Sequence, residues 1–356
     1  MPPRTEGVDI GRLAVLALWR WARWSPARWA RVGRRLVHVR MADRRRVRRE
    51  RQIEGVIPLI VAISPTMRCN YQCVDCYSSS CPKDDELTAG ELDALLGEAE
   101  DLGVLGVVVV GGEPLLIEDV VGILASHQRL FVALFTNGSL VTAEIARELA
   151  GSHNILPFVS VEGTLRDTDG RRQVGAHKAA LSALSLLQDA GACFGFSAMS
   201  TAHNGLYLTS EAFIEQMASL GCVLGFLTEY TACEASMKPE WSPTDAARRD
   251  VRRRVLNLRR RKKFMLMQFP YDEYGVVNRC SAAFRSLLHV TSQGAVEPCP
   301  LVPVTCGNIR QGGLTGVCTS SFLAVLSEMR GSLKQNRPVC RLFAHQMESD
   351  TIRERT

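Results

Sequence analysis

From Leu59 to Tyr230 the chain alternates short apolar runs with longer stretches of helical periodicity. That alternation narrows the fold to an α/β arrangement, a parallel sheet buried under helices. The apolar runs are Leu59–Ser64, Val104–Val110, Leu130–Phe135, Leu156–Val161, Ala192–Met199 and Val223–Tyr230. Between them, Ala89–Leu102, Glu118–His127, Ala143–Ala150, Lys178–Ala190 and Glu211–Leu220 read as helices. Six strand–helix units predict a partial (β/α)6 barrel of TIM type rather than a closed eight-fold one.

The segments following the strands are where such sheets build active sites. Behind the first strand lies Cys69-Asn70-Tyr71-Gln72-Cys73-Val74-Asp75-Cys76, a CxxxCxxC run. Three thiolates on one short loop can hold three irons of a cubane cluster and leave the fourth iron open to a small molecule. A structural zinc site or an electron-transfer cluster is the rival reading of the triad taken alone. Gly111-Gly112-Glu113-Pro114 follows the second strand, Thr136-Asn137-Gly138 the third, and Ser160-Val161-Glu162-Gly163 ends the fourth. Adjacent glycines let another group approach the backbone closely.

Together these segments resemble the radical S-adenosylmethionine (SAM) superfamily. The resemblance implies that Cys69, Cys73 and Cys76 ligate a 4Fe–4S cluster whose open iron binds SAM. It implies that Gly111, Gly112, Glu113 and Pro114 receive the methionine amino group, and that Ser160 and Glu162 contact its ribose or methionine part. Asn137 sits at a strand end that faces the cofactor in that family, and Arg171 or Arg172 could pair with the methionine carboxylate. One departure concerns the adenine: the family's aromatic before the third cysteine is here Asp75, and the aromatic Tyr77 comes just after it.

A second cysteine group lies toward the end of the chain. Cys280, Gly294 and Cys299 keep a spacing that resembles the start of the auxiliary-cluster domain called SPASM, or Twitch when shortened. His289–Pro300 reads as a β-hairpin turning at Gln293-Gly294. The shortened form implies one auxiliary cluster, with Cys280, Cys299 and Cys340 as ligands and Cys306 or Cys318 completing four. Four thiolates suit structural zinc equally well. Cys81, Cys193, Cys222 and Cys233 read as bystanders.

Charge divides the chain unevenly. Residues 1–55 carry fifteen Arg against five acidic residues, so of the net +6 the remainder holds −4. An acidic body argues against nucleic-acid binding. In the basic start, Trp19, Trp21, Trp24 and Trp29 interleave with Arg20, Arg23, Arg28 and Arg31. Residues 8–24 and 26–51 read as two helices, Trp29, Val32, Leu36 and Val39 sharing one face of the second. Such a helix suits either peripheral membrane contact through residues 8–51 or packing against the bottom of the barrel. With no apolar window near 20 residues and no secretory leader pattern, the twelve cysteines imply a cytoplasmic setting, with the inner membrane face as the alternative.

The expected organisation is an Arg/Trp-rich helical segment at 1–56, a radical SAM core at 57–235, a helical connector at 236–278, an auxiliary-cluster domain at 279–345 and a tail at 346–356. The resemblance implies reductive cleavage of SAM to a 5′-deoxyadenosyl radical that abstracts hydrogen from an unactivated carbon, with a flavodoxin or ferredoxin as reductant. A peptide or protein substrate fits the auxiliary domain, and a lipid fits the basic start. An iron–sulfur electron carrier or a zinc-stapled binding module is the non-enzyme alternative.

Overall fold

A computed structural model of the chain describes residues 26–232, 238–261, 264–272, 287–300, 304–321 and 323. The helix expected at 8–24, and Cys233, Cys280 and Cys340, lie outside them. The described residues form two compact units. Within the described residues, one takes in 26–33, Cys69–Ser80 and 135–272, the other Arg34–Arg68, Cys81–Leu134 and 287–323.

In the second unit, β1 (Ile60–Ile63) pairs in parallel with β2 (Gly106–Val109), and β2 with β3 (Phe131–Thr136), Val61 facing Val107 and Val107 facing Val132. Most of their apolar side chains are buried, because helices cover a parallel sheet. Helix α1 (Pro26–Ile53) precedes β1; α2 (Tyr77–Ser80), a single turn behind the cysteine loop, belongs to the first unit. Helix α3 (Ala89–Leu102) starts with a reciprocal capping box between Thr88 and Glu91. It stops at Gly103, whose φ of 86° needs a glycine. A Cβ there would also meet Ala42 O at 2.7 Å, and Arg45 donates 3.0 Å to Glu100 O, so this stretch of α1 packs on the end of α3. Farther toward its start, Val37, Val39 and Met41 of α1 stay exposed. Helix α4 (Val120–Ser126) follows β2.

β8 (Leu287–Val290) adds to the free side of β1, in parallel, with Ile63 opposite Val290. It turns through Gly294 (φ 76°) into β9 (Ala295–Glu297), and β10 (Gly307–Asn308) pairs antiparallel with β9. This is the hairpin expected around Gln293-Gly294. Helix α11 (Gly313–Cys318) is capped from outside, since Glu98 accepts Leu314 N at 2.7 Å and Thr315 N at 2.9 Å.

In the first unit, helix α5 (Ala143–Gly151) leads to β4 (Ile155–Ser160), buried at every residue. Two helices follow where one was expected, α6 (Leu165–Arg171) and α7 (Ala176–Asp189). β5 (Gly195–Ser200), β6 (Leu224–Glu229) and β7 (Met265–Phe269) continue in parallel, with Phe196 opposite Gly225 and Gly225 opposite Leu266. Between β5 and β6 lie α8 (Gly205–Leu208) and α9 (Glu211–Ser219), and α10 (Asp245–Arg260) precedes β7. The stretch expected to be a helical connector thus contributes a strand besides its Arg-rich helix. Met265–Phe269 is too short an apolar run for periodicity to separate from loop. Among the described residues, no helix is long and apolar enough to cross a membrane.

Candidate active site

Everything about the cysteine loop depends on how its two flanks are held. On the near flank, within the second unit, Glu86 clamps the chain leaving β1. Its carboxylate accepts from Thr66 Oγ1 at 2.8 Å, Arg68 Nε at 2.8 Å and Met67 N. Burial works against this carboxylate, but those bonds outweigh it and hold its pKa below the ordinary value. The clamped backbone in turn supports the glycine loop: Gly112 N donates to Thr66 O at 2.8 Å, and Glu113 N to Arg68 O at 2.9 Å. A Cβ on Gly112 would run into the Arg68 carbonyl, and one on Gly111 (φ 108°) into the Thr66 carbonyl. The two glycines therefore have a reason not apparent in the sequence: the group approaching them is the chain's own backbone, one residue short of Cys69. Glu113 is fully buried, accepts from Leu115 N at 3.1 Å, and leads into Pro114 and a short 3-10 turn.

The far flank belongs to the first unit. Cys69, Cys73 and Cys76 are all partly exposed. Asn137, just past β3, directs its amide to Asn70 Oδ1 at 2.8 Å and to Cys69 Sγ at 3.9 Å. Val74 N donates to Arg171 O at 2.7 Å, which ties the middle of the loop to the end of α6. Asp75 takes the left-handed conformation (φ 52°) and accepts from Tyr230 Oη at 2.7 Å and Lys238 N at 3.2 Å. The residue that departs from the aromatic pattern thus anchors the loop to the end of β6. Burial, with Asp75 close by, pushes the Tyr230 phenol up to about 12. Tyr77 starts α2 and is exposed.

Beneath the loop lies an ionic knot. Glu162 is fully buried and accepts from Arg171 Nη1 at 2.7 Å, from Arg172 Nε at 2.9 Å and Nη2 at 2.6 Å, and from Met199 N at 2.7 Å. Burial would raise its pKa, yet Arg171 and Arg172 overcome that and hold it low. Burial raises the Cys73 thiol, and the same two arginines partly offset the rise. Ser160 is buried with its hydroxyl 3.1 Å from that of Ser197. Glu162 and both arginines, expected to meet SAM separately, are first of all partners of one another. Arg171 keeps its Nε as a buried donor with no acceptor among the described residues.

Of the other cysteines, Cys299, Cys306 and Cys318 are buried in the second unit. Burial pushes the thiols of Cys306 and Cys318 up to about 12, and Cys306 Sγ donates to Val296 O at 3.0 Å. Cys280 and Cys340 are outside the described residues. Among the described residues, no three His, Cys, Asp or Glu side chains gather closely enough to hold one metal ion.

Residues 63–216 match the family model of the Radical SAM superfamily, a span running from the end of β1 through the cysteine loop and the ionic knot. Over that span the chain carries a domain of the radical SAM superfamily. Its members use a 4Fe–4S cluster and SAM, and this one is an enzyme of that class. An AdoMet-dependent heme synthase of Methanosarcina barkeri is 26% identical over 283 residues, covering 71% of this chain and 80% of that protein. The mycofactocin maturase MftC of Mycolicibacterium smegmatis is 32% identical over 138 residues, which span 38% of this chain and only 35% of the maturase. Among solved structures, Streptococcus suis SuiB bound to S-adenosylmethionine superposes with a TM-score of 0.67 at 17% identity, covering 80% of this chain and 72% of SuiB. The radical SAM fold, with its parallel sheet, is common to both.

Three residues that hold the cysteine loop and its near flank carry no signal in the sequence. Glu86 sits in an ordinary polar run, Tyr230 ends an apolar strand, and Asn70 is one more polar residue between cysteines. Only Asp75 could have been suspected, as an odd residue within a tight motif.

Proposed function

We propose that this radical SAM enzyme generates a 5′-deoxyadenosyl radical and abstracts hydrogen from an unactivated carbon of a peptide or protein. The observation that carries this reading is the cysteine loop itself: three partly exposed thiols, held at both flanks, beside the Asn137 amide. That donor set suits a cubane, which asks for one thiolate on each of three irons rather than three on one ion. Bound there, the cluster would supply the electron that breaks a carbon–sulfur bond of SAM, chemistry that no side chain provides.

The chain's residues do the holding. Cys69, Cys73 and Cys76 supply the ligands. Gly111, Gly112, Glu113 and Pro114, fixed on Thr66–Arg68, would receive the methionine amino group, with the Glu113 carboxylate already buried for that purpose. Arg171 is poised for the methionine carboxylate through its spare Nε–H, while Glu162 orients both guanidinium groups. Asn137, Ser160 and Tyr77 complete the proposed contacts. Cys280, Cys299 and Cys340, with Cys306 or Cys318, would hold one auxiliary cluster of the shortened type. A flavodoxin or ferredoxin would be the electron donor.

A peptide substrate is supported by the likeness to a maturase and to SuiB, whose structure with its precursor peptide SuiA superposes with a TM-score of 0.66 at 17% identity. A tetrapyrrole is the second reading, favoured by the greater length of the match to the heme synthase. Anaerobic reconstitution should give about eight irons per chain, four for each cubane. Replacing Cys69, Cys73 and Cys76 with Ala should halve the iron and abolish formation of 5′-deoxyadenosine from SAM. Continued SAM cleavage by that variant would overturn the proposal. Stimulation of cleavage by a porphyrin but by no candidate peptide would select the tetrapyrrole.

A further inference from the structure

A buried Ser–His–Glu relay crosses the sheet of the second unit, and neither the cluster nor SAM requires it. Ser64 Oγ lies 2.8 Å from His289 Nε2, and His289 Nδ1 lies 2.8 Å from Glu297 Oε2. Ser64 and His289 are 0% and 2% exposed. The sheet register accounts for the meeting. His289 on β8 stands opposite Glu297 on the antiparallel β9, and Ser64 N donates to Val290 O at 2.9 Å as β1 ends. Because a carboxylate only accepts, Nδ1 carries a proton, and Nε2 is left to the serine hydroxyl.

The same three residue types form hydrolytic triads, in which the serine must reach a substrate. Here the serine is sealed inside the protein, so hydrolysis is excluded and a holding role remains. What the two ends hold is specific. At one end, Ser64 packs under the glycine loop, with a Cβ on Gly111 coming 3.3 Å from Ser64 Cβ. Two residues after Ser64 comes Thr66, whose carbonyl accepts Gly112 N. At the other end, Glu297 is followed by Pro298 and Cys299.

We propose that His289 is a positioning residue that couples the Cys299 segment to the glycine loop, so that occupation of the auxiliary site alters the affinity for SAM. The proposal rests on the reading above, that Cys299 is an auxiliary-cluster ligand and that Gly111 and Gly112 receive SAM. A coupled pair of sites commonly shifts affinity by about five-fold or more. Cutting the relay at either end should abolish the shift without removing either site.

The test uses the full chain, reconstituted anaerobically, with iron counted and SAM affinity measured by equilibrium dialysis. Cys299→Ser should lose the auxiliary iron and change the SAM dissociation constant by about five-fold or more. His289→Asn places an amide where Nδ1 was and keeps Glu297 partnered, whereas His289→Gln reaches toward Ser64 and releases Glu297. In both backgrounds, and with Ser64→Ala, the effect of Cys299→Ser on SAM affinity should vanish while the iron of the Cys69 loop stays. If the His289 variants only lower the melting temperature and the Cys299 effect persists, the histidine is structural and the coupling is refuted. If Cys299→Ser loses iron yet leaves SAM affinity unchanged in the parent chain, the coupling is likewise refuted, with the auxiliary assignment intact. Full iron in Cys299→Ser would refute that assignment and the coupling with it.

Discussion

Glu162→Gln removes the negative charge of the carboxylate bonded to both Arg171 and Arg172 and leaves the shape of the side chain unchanged. Four hydrogen bonds converge on the carboxylate, three from guanidinium groups and one from Met199 N. Both arginines are largely buried, at 8% and 12% side-chain exposure, so solvent cannot replace the lost partner. Breaking a buried ion pair from one side costs about 3–5 kcal/mol, because an uncompensated charge stays behind. For a cooperative unit of roughly 150–250 residues, each kcal/mol lowers the melting temperature by about 2–4 °C. The expected fall is therefore about 6–20 °C, followed by circular dichroism on the iron-free protein. Because Arg171 O holds Val74 N, the variant should also take up less iron on the Cys69 loop. Adding Arg172→Met removes one of the two stranded charges, and the double variant should recover part of the loss, a non-additivity expected of groups in one network. A melting temperature equal to that of the parent protein would refute the account of the knot.

Three further outcomes follow from the same geometry. Gly112→Ala should cost about 1–3 kcal/mol by overpacking and weaken SAM binding, because the new Cβ meets the Arg68 carbonyl; unchanged affinity in a dialysis assay would count against the backbone cradle. Glu91 is held at about 2, chiefly by its hydrogen bond from Arg310, and Glu86 and Glu162 are also held below the ordinary glutamate value of 4.5. Folded-state values below the unfolded one mean stability that is fully present above pH 4.5 and lost as pH falls toward 2; urea midpoints that do not drop through that window would contradict this. For the basic start, we propose binding to anionic membrane surfaces, with each Arg near the surface contributing about 1 kcal/mol. The full chain should then sediment with anionic liposomes at low salt and a chain beginning near Gly55 should not, while equal, negligible sedimentation of both would dismiss it.

Periodicity and spacing in the sequence already determine the strand–helix alternation, the CxxxCxxC loop behind the first strand and the glycine loop behind the second. The reason is local. Whether a residue faces the sheet or a covering helix is written every two or every three to four residues, and three cysteines within eight residues need no distant partner to be recognised as a group. Tertiary structure alone decided which groups would meet across the chain. Asp75 and Tyr230 are 155 residues apart, and Ser64 and His289 are 225 apart. The pairing of Glu162 with Arg171 and Arg172 spans only nine and ten residues, yet it too was hidden in the sequence, since any of 43 Lys and Arg could have served. β7 was missed because a five-residue run with four apolar side chains reads alike as strand or loop until β6 lies beside it. The choice of partner for a buried charge or hydroxyl is set by which strands become neighbours and in what register, and a one-residue slip would turn each side chain to the other face. That information exists only once the sheet has formed.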